Sequence, residues 1–355
     1  MTLSVKWESC VRSRSRAATC HACVDGCPVK AISFDGPRAS VKVDMATCTG
    51  CGRCQAVCPT EVFHGVADVA AFVEQAGSTL SCTPTFCLSL LTTEDFVTLA
   101  LRHGTVKVDG AGCTTCRVSP SLVGERVERA TAFLSASGFA AKLVEVVKPG
   151  ALPASVAPTP VVVAPSRRAL LRRFLPGAEP VPAAPLVLAA LDPVKVKDKP
   201  LPARRERLLA RLGSTPRERA ATALPTDEVD FTSDKVLDLT TCTGCLQCVS
   251  ACPTAALTSS RGLDEVRFDA ARCVKCGTCH DVCEPRSLTL ARRFDTALLS
   301  GGPRSLARFT VKACAECGVR FKYDGGDAIC PRCAGHDDEA RELHGLPTKP
   351  PGASA

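Results

Sequence analysis

The spacing of its cysteines limits what this chain can fold into more than anything else in it. One stretch reads Cys242-x2-Cys245-x2-Cys248-x3-Cys252-Pro253, followed by Cys273-x2-Cys276-x2-Cys279-x3-Cys283. Earlier stand Cys20-x2-Cys23-x3-Cys27-Pro28 and Cys48-x2-Cys51-x2-Cys54-x3-Cys58-Pro59. A shift of 225 carries every cysteine of the earlier group onto a cysteine of the later one. The same shift carries Pro28 onto Pro253, Asp44 onto Asp269 and Gly52 onto Gly277. Ungapped self-similarity of this kind marks a structural repeat, so the two stretches are expected to share one fold. The repeat fails at one position: the first run should open with a cysteine at 17, where Ala17 stands.

With 355 residues the chain has room for two or three domains. It holds 24 cysteines but only one Trp, one Tyr and 13 Phe, so apolar cores are small and need help. Most of these cysteines have a neighbour at x2 or x3, which suits wrapping one metal centre and is poor for bridging remote loops. No run of 18 apolar residues and no secretory leader is present, so a reducing cytoplasm is expected. The net charge of +8 is mild and fits either an acidic protein partner or nucleic acid. The near-absence of Tyr and Trp for base stacking argues against nucleic acid.

The run C-x2-C-x2-C-x3-C-P resembles the signature of bacterial two-cluster ferredoxins, over about 10–64 and 238–292. In that family the fourth cysteine of each run ligates the other cluster. The resemblance therefore implies four [4Fe-4S] clusters. Two are held by Cys242, Cys245, Cys248 and Cys283, and by Cys273, Cys276, Cys279 and Cys252. A third takes Cys48, Cys51, Cys54 and Cys27. The last needs Cys20, Cys23, Cys58 and a substitute for Ala17; Cys10 is the nearby unassigned thiol and is read as a displaced ligand. A nine-residue loop can return to the cluster at modest entropic cost. The rival reading is a three-cysteine site with Cys10 an ordinary thiol. The loop's Arg12, Arg14 and Arg16 read as a solvated basic face, and His21 and His280 as solvent-facing residues of ligand loops.

Between the two runs, 79–82, 105–110 and 141–147 read as strands, and 92–103 and 119–138 as helices, with Thr92 or Thr93 as an N-cap. Alternation of this kind predicts a small parallel α/β unit. Cys82 and Cys87 then follow the first strand, and Cys113 and Cys116 the second, at the carboxyl ends where such sheets gather ligands. The segment is similar to the small iron–sulfur subunit of methyl-viologen-reducing hydrogenases, though its Gly112–Cys116 loop is shorter. An additional cluster, [2Fe-2S] or other, or zinc is expected there, with a redox-active Cys113–Cys116 dithiol beside structural Cys82 and Cys87 as the rival. Residues 149–230 read as a Pro/Ala-rich linker with basic helices at 166–175 and 203–213. Cys314-x2-Cys317 and Cys330-x2-Cys333 form two knuckles resembling a zinc ribbon that would hold Zn2+.

The expected architecture is α+β multidomain: a ferredoxin-like 2[4Fe-4S] module at 1–65, a small α/β domain at 66–148, the linker at 149–230, a second such module at 231–300, a zinc ribbon at 301–340 and a disordered tail at 341–355. Sites fully ligated by cysteine leave no iron open to substrate, which favours an electron-transfer protein. What the resemblance implies is a redox protein partner or larger oxidoreductase complex of the formate dehydrogenase, hydrogenase or heterodisulfide-reductase type. The rivals are a thiol or iron–sulfur redox enzyme using the Cys82/Cys87/Cys113/Cys116 site, and a zinc-ribbon module binding nucleic acid or protein. No G-x-G-x-x-G follows a strand to suggest a bound flavin or nicotinamide.

Overall fold

The computed structural model describes residues 3–34, 40–83, 86–113, 120–147 and 199–344. The stretch 149–198 with its basic island at 166–175, Cys116, and the tail beyond residue 344 lie outside the described residues.

Each cysteine repeat folds as a pair of two-stranded ribbons around its ligand loops. In the first, Ile32–Phe34 pairs antiparallel with Val41–Val43, and Ser4–Val5 with Phe63–His64. In the second, Leu257–Ser259 pairs with Glu265–Phe268, and Lys235–Leu237 with Leu288–Leu290. Arg304–Arg308 adds a third strand alongside Glu265–Phe268. The first body's core is small: Trp7, Ile32, Val41, Val62 and Phe63 pack with Cys23, Cys27, Cys54 and Cys58. Ligand-loop sulfurs thus make up much of what is buried there.

Between the repeats lies a three-stranded sheet of β1 (Thr79–Ser81), β2 (Thr105–Asp109) and β3 (Lys142–Val147), in that order and all parallel. Helix α1 (Thr93–His103) connects β1 to β2, and α2 (Pro120–Ala136) lies between β2 and β3. Thr92 caps α1 in a reciprocal box: its side chain accepts from the Asp95 N–H, while the Asp95 carboxylate accepts from the Thr92 N–H at 2.9 Å. Residues 93–101 of α1 are all buried. The helix is therefore an internal strut, and one continuous core runs from Val73 through this sheet to Phe294 and Leu299 of the second repeat.

Helix α3 (Ala203–Ser214) departs from the surface helix that its Arg-rich sequence predicts. Leu208 and Leu212 do enter the common core, but Arg204 and Arg205 are buried as well. The Arg205 Nε donates to Glu94 of α1 at 2.5 Å. Its remaining nitrogens donate to the carbonyls of Phe231 at 2.6 Å and of Ala271 and Cys273, both at 2.7 Å. Arg204 faces the other way, donating to the carbonyls of Ala56 and Cys58 in the first repeat while its Nε meets Glu94 at 3.1 Å. Two successive guanidinium groups thus clamp both repeats onto α1. The acceptors come from segments remote in sequence, so the local Leu/Arg pattern could not reveal them.

At the carboxyl end, Val311–Ala313 pairs with Arg320–Lys322, so the hairpin encloses the first knuckle instead of joining the two knuckles as the sequence predicts. Helix α4 (Pro331–Leu343) starts on the second knuckle. It runs to Leu343, past residue 341 where the disordered tail was expected to begin, because AREL continues a helix-forming sequence. No helix among the described residues is long and apolar enough to cross a membrane.

Removing Glu94 would leave the buried Arg205 guanidinium without its carboxylate and Arg204 with only the more distant Glu61 at 3.9 Å. Glu94→Ala should lower stability by about 3–5 kcal/mol, the cost typical of breaking a buried ion pair, read as a lower urea midpoint.

Candidate metal centres

The folded chain brings the cysteines of the two repeats together in crossed quartets. Cys10, Cys20, Cys23 and Cys58 line one pocket with Phe34, Val41 and Phe63. Cys27, Cys48, Cys51 and Cys54 line another. Cys252, Cys273, Cys276 and Cys279 line a third. In the fourth group, Cys242, Cys245 and Cys283 stand near enough to Cys248 to act on its charge. The second and third are one cage in the two repeats, related by the shift of 225, whereas the first uses Cys10 in place of the residue at 17. A wider cleft runs between the first repeat and α3, but its lining contains no thiol.

The chemistry of these cages fits a bound cationic centre. Burial, reinforced by repulsion from the neighbouring sulfurs, pushes Cys10, Cys23, Cys54, Cys248 and Cys279 up to about 12. Four such sulfurs become thiolates together only when a metal centre supplies the compensating charge. Backbone N–H groups already point at the sulfurs: Ala31 donates to Cys27 at 3.2 Å and Val62 to Cys58 at 3.4 Å. Hydrogen bonds of this type adjust cluster potentials.

The flanking strands explain Ala17. Val5 pairs with Phe63, and Leu237 pairs with Leu288, which is the counterpart of Phe63 at the 225-residue shift. Val5 and Leu237 are therefore equivalent, at a separation of 232. Cys10 and Cys242 are also 232 apart, so Cys10 keeps the register of the first ligand relative to its strand. The chain gained seven residues behind that cysteine, the difference between the two separations. Part of the insertion forms a short helix, Val11–Arg14. Arg12, read from sequence as solvated, is buried instead and lies 4.4 Å from the Phe34 ring centre.

His280 also differs from the sequence reading, through a contact with Lys235. The buried Lys235 side chain lines the Cys252/Cys273/Cys276/Cys279 cage. Its ammonium donates to the Nε2 of His280 at 2.6 Å, and Nδ1 of that ring lies 2.9 Å from the Leu288 carbonyl. An acceptor at Nε2 and a donor at Nδ1 make a neutral imidazole. Burial, then the Lys235 charge, hold His280 below its ordinary value. The pair therefore sets one fixed cation beside that cage. His21 does stay exposed, edge-on to Phe34. No local motif marks Lys235, but its place in the KVL strand offered a signal, since alternate residues of a strand share a face.

In the middle domain, Cys82 follows β1 and Cys113 closes the turn Ala111–Cys113 after β2. The two loops meet, since a Cβ on Gly112 would lie 3.5 Å from the Cys82 Cβ. The Leu88 N–H donates to the Cys82 sulfur at 3.4 Å. Hydrogen bonds from Cys82 and then Ser89 bring Cys87 down to about 5 despite its burial, with its sulfur 3.2 Å from the Ser89 hydroxyl. Cys116, the remaining member expected for this site, lies outside the described residues.

The terminal quartet is tighter: the sulfurs of Cys314, Cys317, Cys330 and Cys333 all lie within 4.8 Å of one another. Backbone N–H groups of the knuckles, those of Cys317 and Cys330 foremost, bring Cys314 down to about 6. This small cage packs on the second repeat through Lys322, whose ammonium donates to the carbonyls of Leu239 at 2.9 Å and Cys242 at 3.1 Å.

Comparison with known families accords with the two cages per repeat. Residues 18–62 match a 4Fe-4S dicluster domain, and residues 241–288 match a second 4Fe-4S dicluster domain. No curated protein matches the chain. The chain is thus an iron–sulfur protein with two ferredoxin-like dicluster domains.

Two substitutions test the cages separately. Cys10→Ser should lower bound iron and leave the metal of the terminal quartet unchanged, whereas Cys330→Ser should cost only the metal held by that quartet. Both are read by elemental analysis of anaerobic protein. Lys235→Met removes a cation that favours the reduced, more negative centre, so it should lower the potential of one cluster in an EPR-monitored redox titration.

Proposed function

We propose that these two dicluster domains make the chain a relay for single electrons, with four [4Fe-4S] centres in its four crossed cysteine quartets. The observation that carries this reading is closure: each quartet supplies a full set of four thiols, with Cys10 supplying the one that Ala17 does not. A centre ligated in that way exchanges electrons and leaves no position for a substrate. The chain's own residues then do three things. The cages exclude water and hold four thiolates in place, backbone N–H groups and Lys235 adjust how readily each site is reduced, and α3 keeps the two domains together. Proton movement is not required, since His280 stays neutral beside its lysine.

The reading extends to the rest of the chain. Cys82, Cys87, Cys113 and Cys116 supply a further iron–sulfur centre where two loops meet at the carboxyl ends of β1 and β2. The quartet Cys314, Cys317, Cys330 and Cys333 takes Zn2+ as a structural ion. The partner is a redox protein or a larger cytoplasmic oxidoreductase complex of the formate dehydrogenase, hydrogenase or heterodisulfide-reductase type. A second reading, in which Cys82 and Cys87 act as a redox dithiol, is favoured by the Ser89 hydroxyl 3.2 Å from the Cys87 sulfur, since hydrogen bonds from Cys82 and Ser89 lower that thiol.

Anaerobic protein should contain at least about sixteen irons, four per cubane site, with matching sulfide and about one zinc. Its visible absorption should bleach with dithionite and return on reoxidation, and it should show no turnover without a partner. Colourless, iron-free protein from oxygen-free preparation would sink the relay. Rapid alkylation of Cys87 in fully iron-loaded protein would favour the dithiol reading for the middle site.

A further inference from the structure

We propose that electrons pass between the two ferredoxin-like domains at one place, from the Cys10/Cys20/Cys23/Cys58 cage to the Cys252/Cys273/Cys276/Cys279 cage or back. We further assign Thr19, Asp281 and the Arg204–Arg205 pair as the residues that fix this crossing. The inference rests on the electron-relay reading above and goes beyond it by ordering the centres. Two contacts, from different segments, lead to the same two cages.

The first lies at the ligand loops. Thr19, next to Cys20, donates its backbone N–H to one Asp281 carboxylate oxygen at 2.8 Å and its hydroxyl to the other at 3.1 Å. Asp281 itself stands two residues beyond Cys279. The second is the arginine clamp: the carbonyl of Cys58 accepts from Arg204, and that of Cys273 accepts from Arg205 at 2.7 Å. Consecutive residues have Cα atoms about 3.8 Å apart, so one peptide unit ties a ligand of each cage to the other.

The other two cages have different neighbours. A Cβ on Gly52, in the Cys48–Cys54 loop, would fall 2.4 Å from Leu90, so that loop backs onto the middle domain beside the segment carrying Cys87. A Cβ on Gly244, in the Cys242–Cys248 loop, would fall 2.7 Å from Lys322, so that loop lies under the terminal four-cysteine hairpin. The order that results is linear: middle domain, Cys27/Cys48/Cys51/Cys54 cage, the two junction cages, then the Cys242/Cys245/Cys248/Cys283 cage. Each crossing moves one electron, oxidising one side and reducing the other, with no bond formed or broken. The reductant is an external low-potential one-electron donor.

The test uses the full chain, reconstituted anaerobically with iron and sulfide and reduced with dithionite, and reads dipolar coupling between reduced centres by pulsed EPR. Wild-type protein should show coupling between the domains. That coupling should persist in Cys51→Ala/Cys245→Ala, which opens one ligand position in each outer cage. The spread of inter-domain distances should broaden in Thr19→Ala/Asp281→Ala, both of which are surface changes with little risk to folding. Loss of the coupling in the outer-cage variant would overturn the assignment, and an unchanged spread in Thr19→Ala/Asp281→Ala would overturn the fixing role. Protein that holds its iron and bleaches reversibly but lacks inter-domain coupling sinks the crossing and leaves the relay standing. Protein that takes up no iron and sulfide sinks both.

Discussion

One buried charge cluster holds this molecule in register. Glu94 of α1 meets Arg204 and Arg205 of α3, and the two guanidinium groups spend their remaining donors on main-chain carbonyls of both ferredoxin-like domains. Removing three charges from water is expensive, and such a cluster returns little net stability unless its donors are satisfied. Here the donors are nearly all used: Arg205 alone reaches one carboxylate and three carbonyls. What the cluster supplies is uniqueness. Lysine has no planar fork and could not reach four acceptors from one position. The first domain has a separate and small apolar core, so its attachment to the rest depends on these polar contacts more than on packing.

The second theme is the dependence of the ferredoxin-like domains on what they hold. Cysteines form part of both apolar clusters, and their thiols are pushed well above neutral pH by burial. Without bound centres these cages are protonated pockets in domains with short strands and few large side chains. Metal assembly and folding are therefore one equilibrium here. The terminal quartet differs: its sulfurs lie within 4.8 Å of one another, and backbone N–H groups, helped by Cys317, bring Cys314 down although that side chain is buried.

Much of the architecture could be read from the sequence because cysteine spacing is a local signal. The runs at 20–58 and 242–283 fall on the two dicluster domains, and the alternation TVKVDG lies on β2. Helix α1 begins at the capping box that Thr92 and Asp95 announce. What stayed hidden was non-local. Nothing near Arg204 and Arg205 says that their acceptors are Glu94, Cys58 and Cys273, so an amphipathic basic stretch read as a surface helix. Lys235 carried no signal of its own for its contact with His280, because that ring partner lies 45 residues away. Cys10 read as a displaced ligand because the cysteine count could not show which side of it had changed; only the pairing of Val5 with Phe63 could.

That insertion has a consequence for how a duplicated protein avoids pairing with itself wrongly. Two copies of one dicluster domain present the same loops, and matching faces invite several dockings of similar energy, including one between separate chains. Thr19 and Gly244 occupy the same position in the two copies, yet one grips Asp281 and the other lies beneath Lys322. By lengthening the loop in one copy alone, the chain gave twin domains different handshakes, so a pseudo-symmetric duplicate has a single way to close on itself.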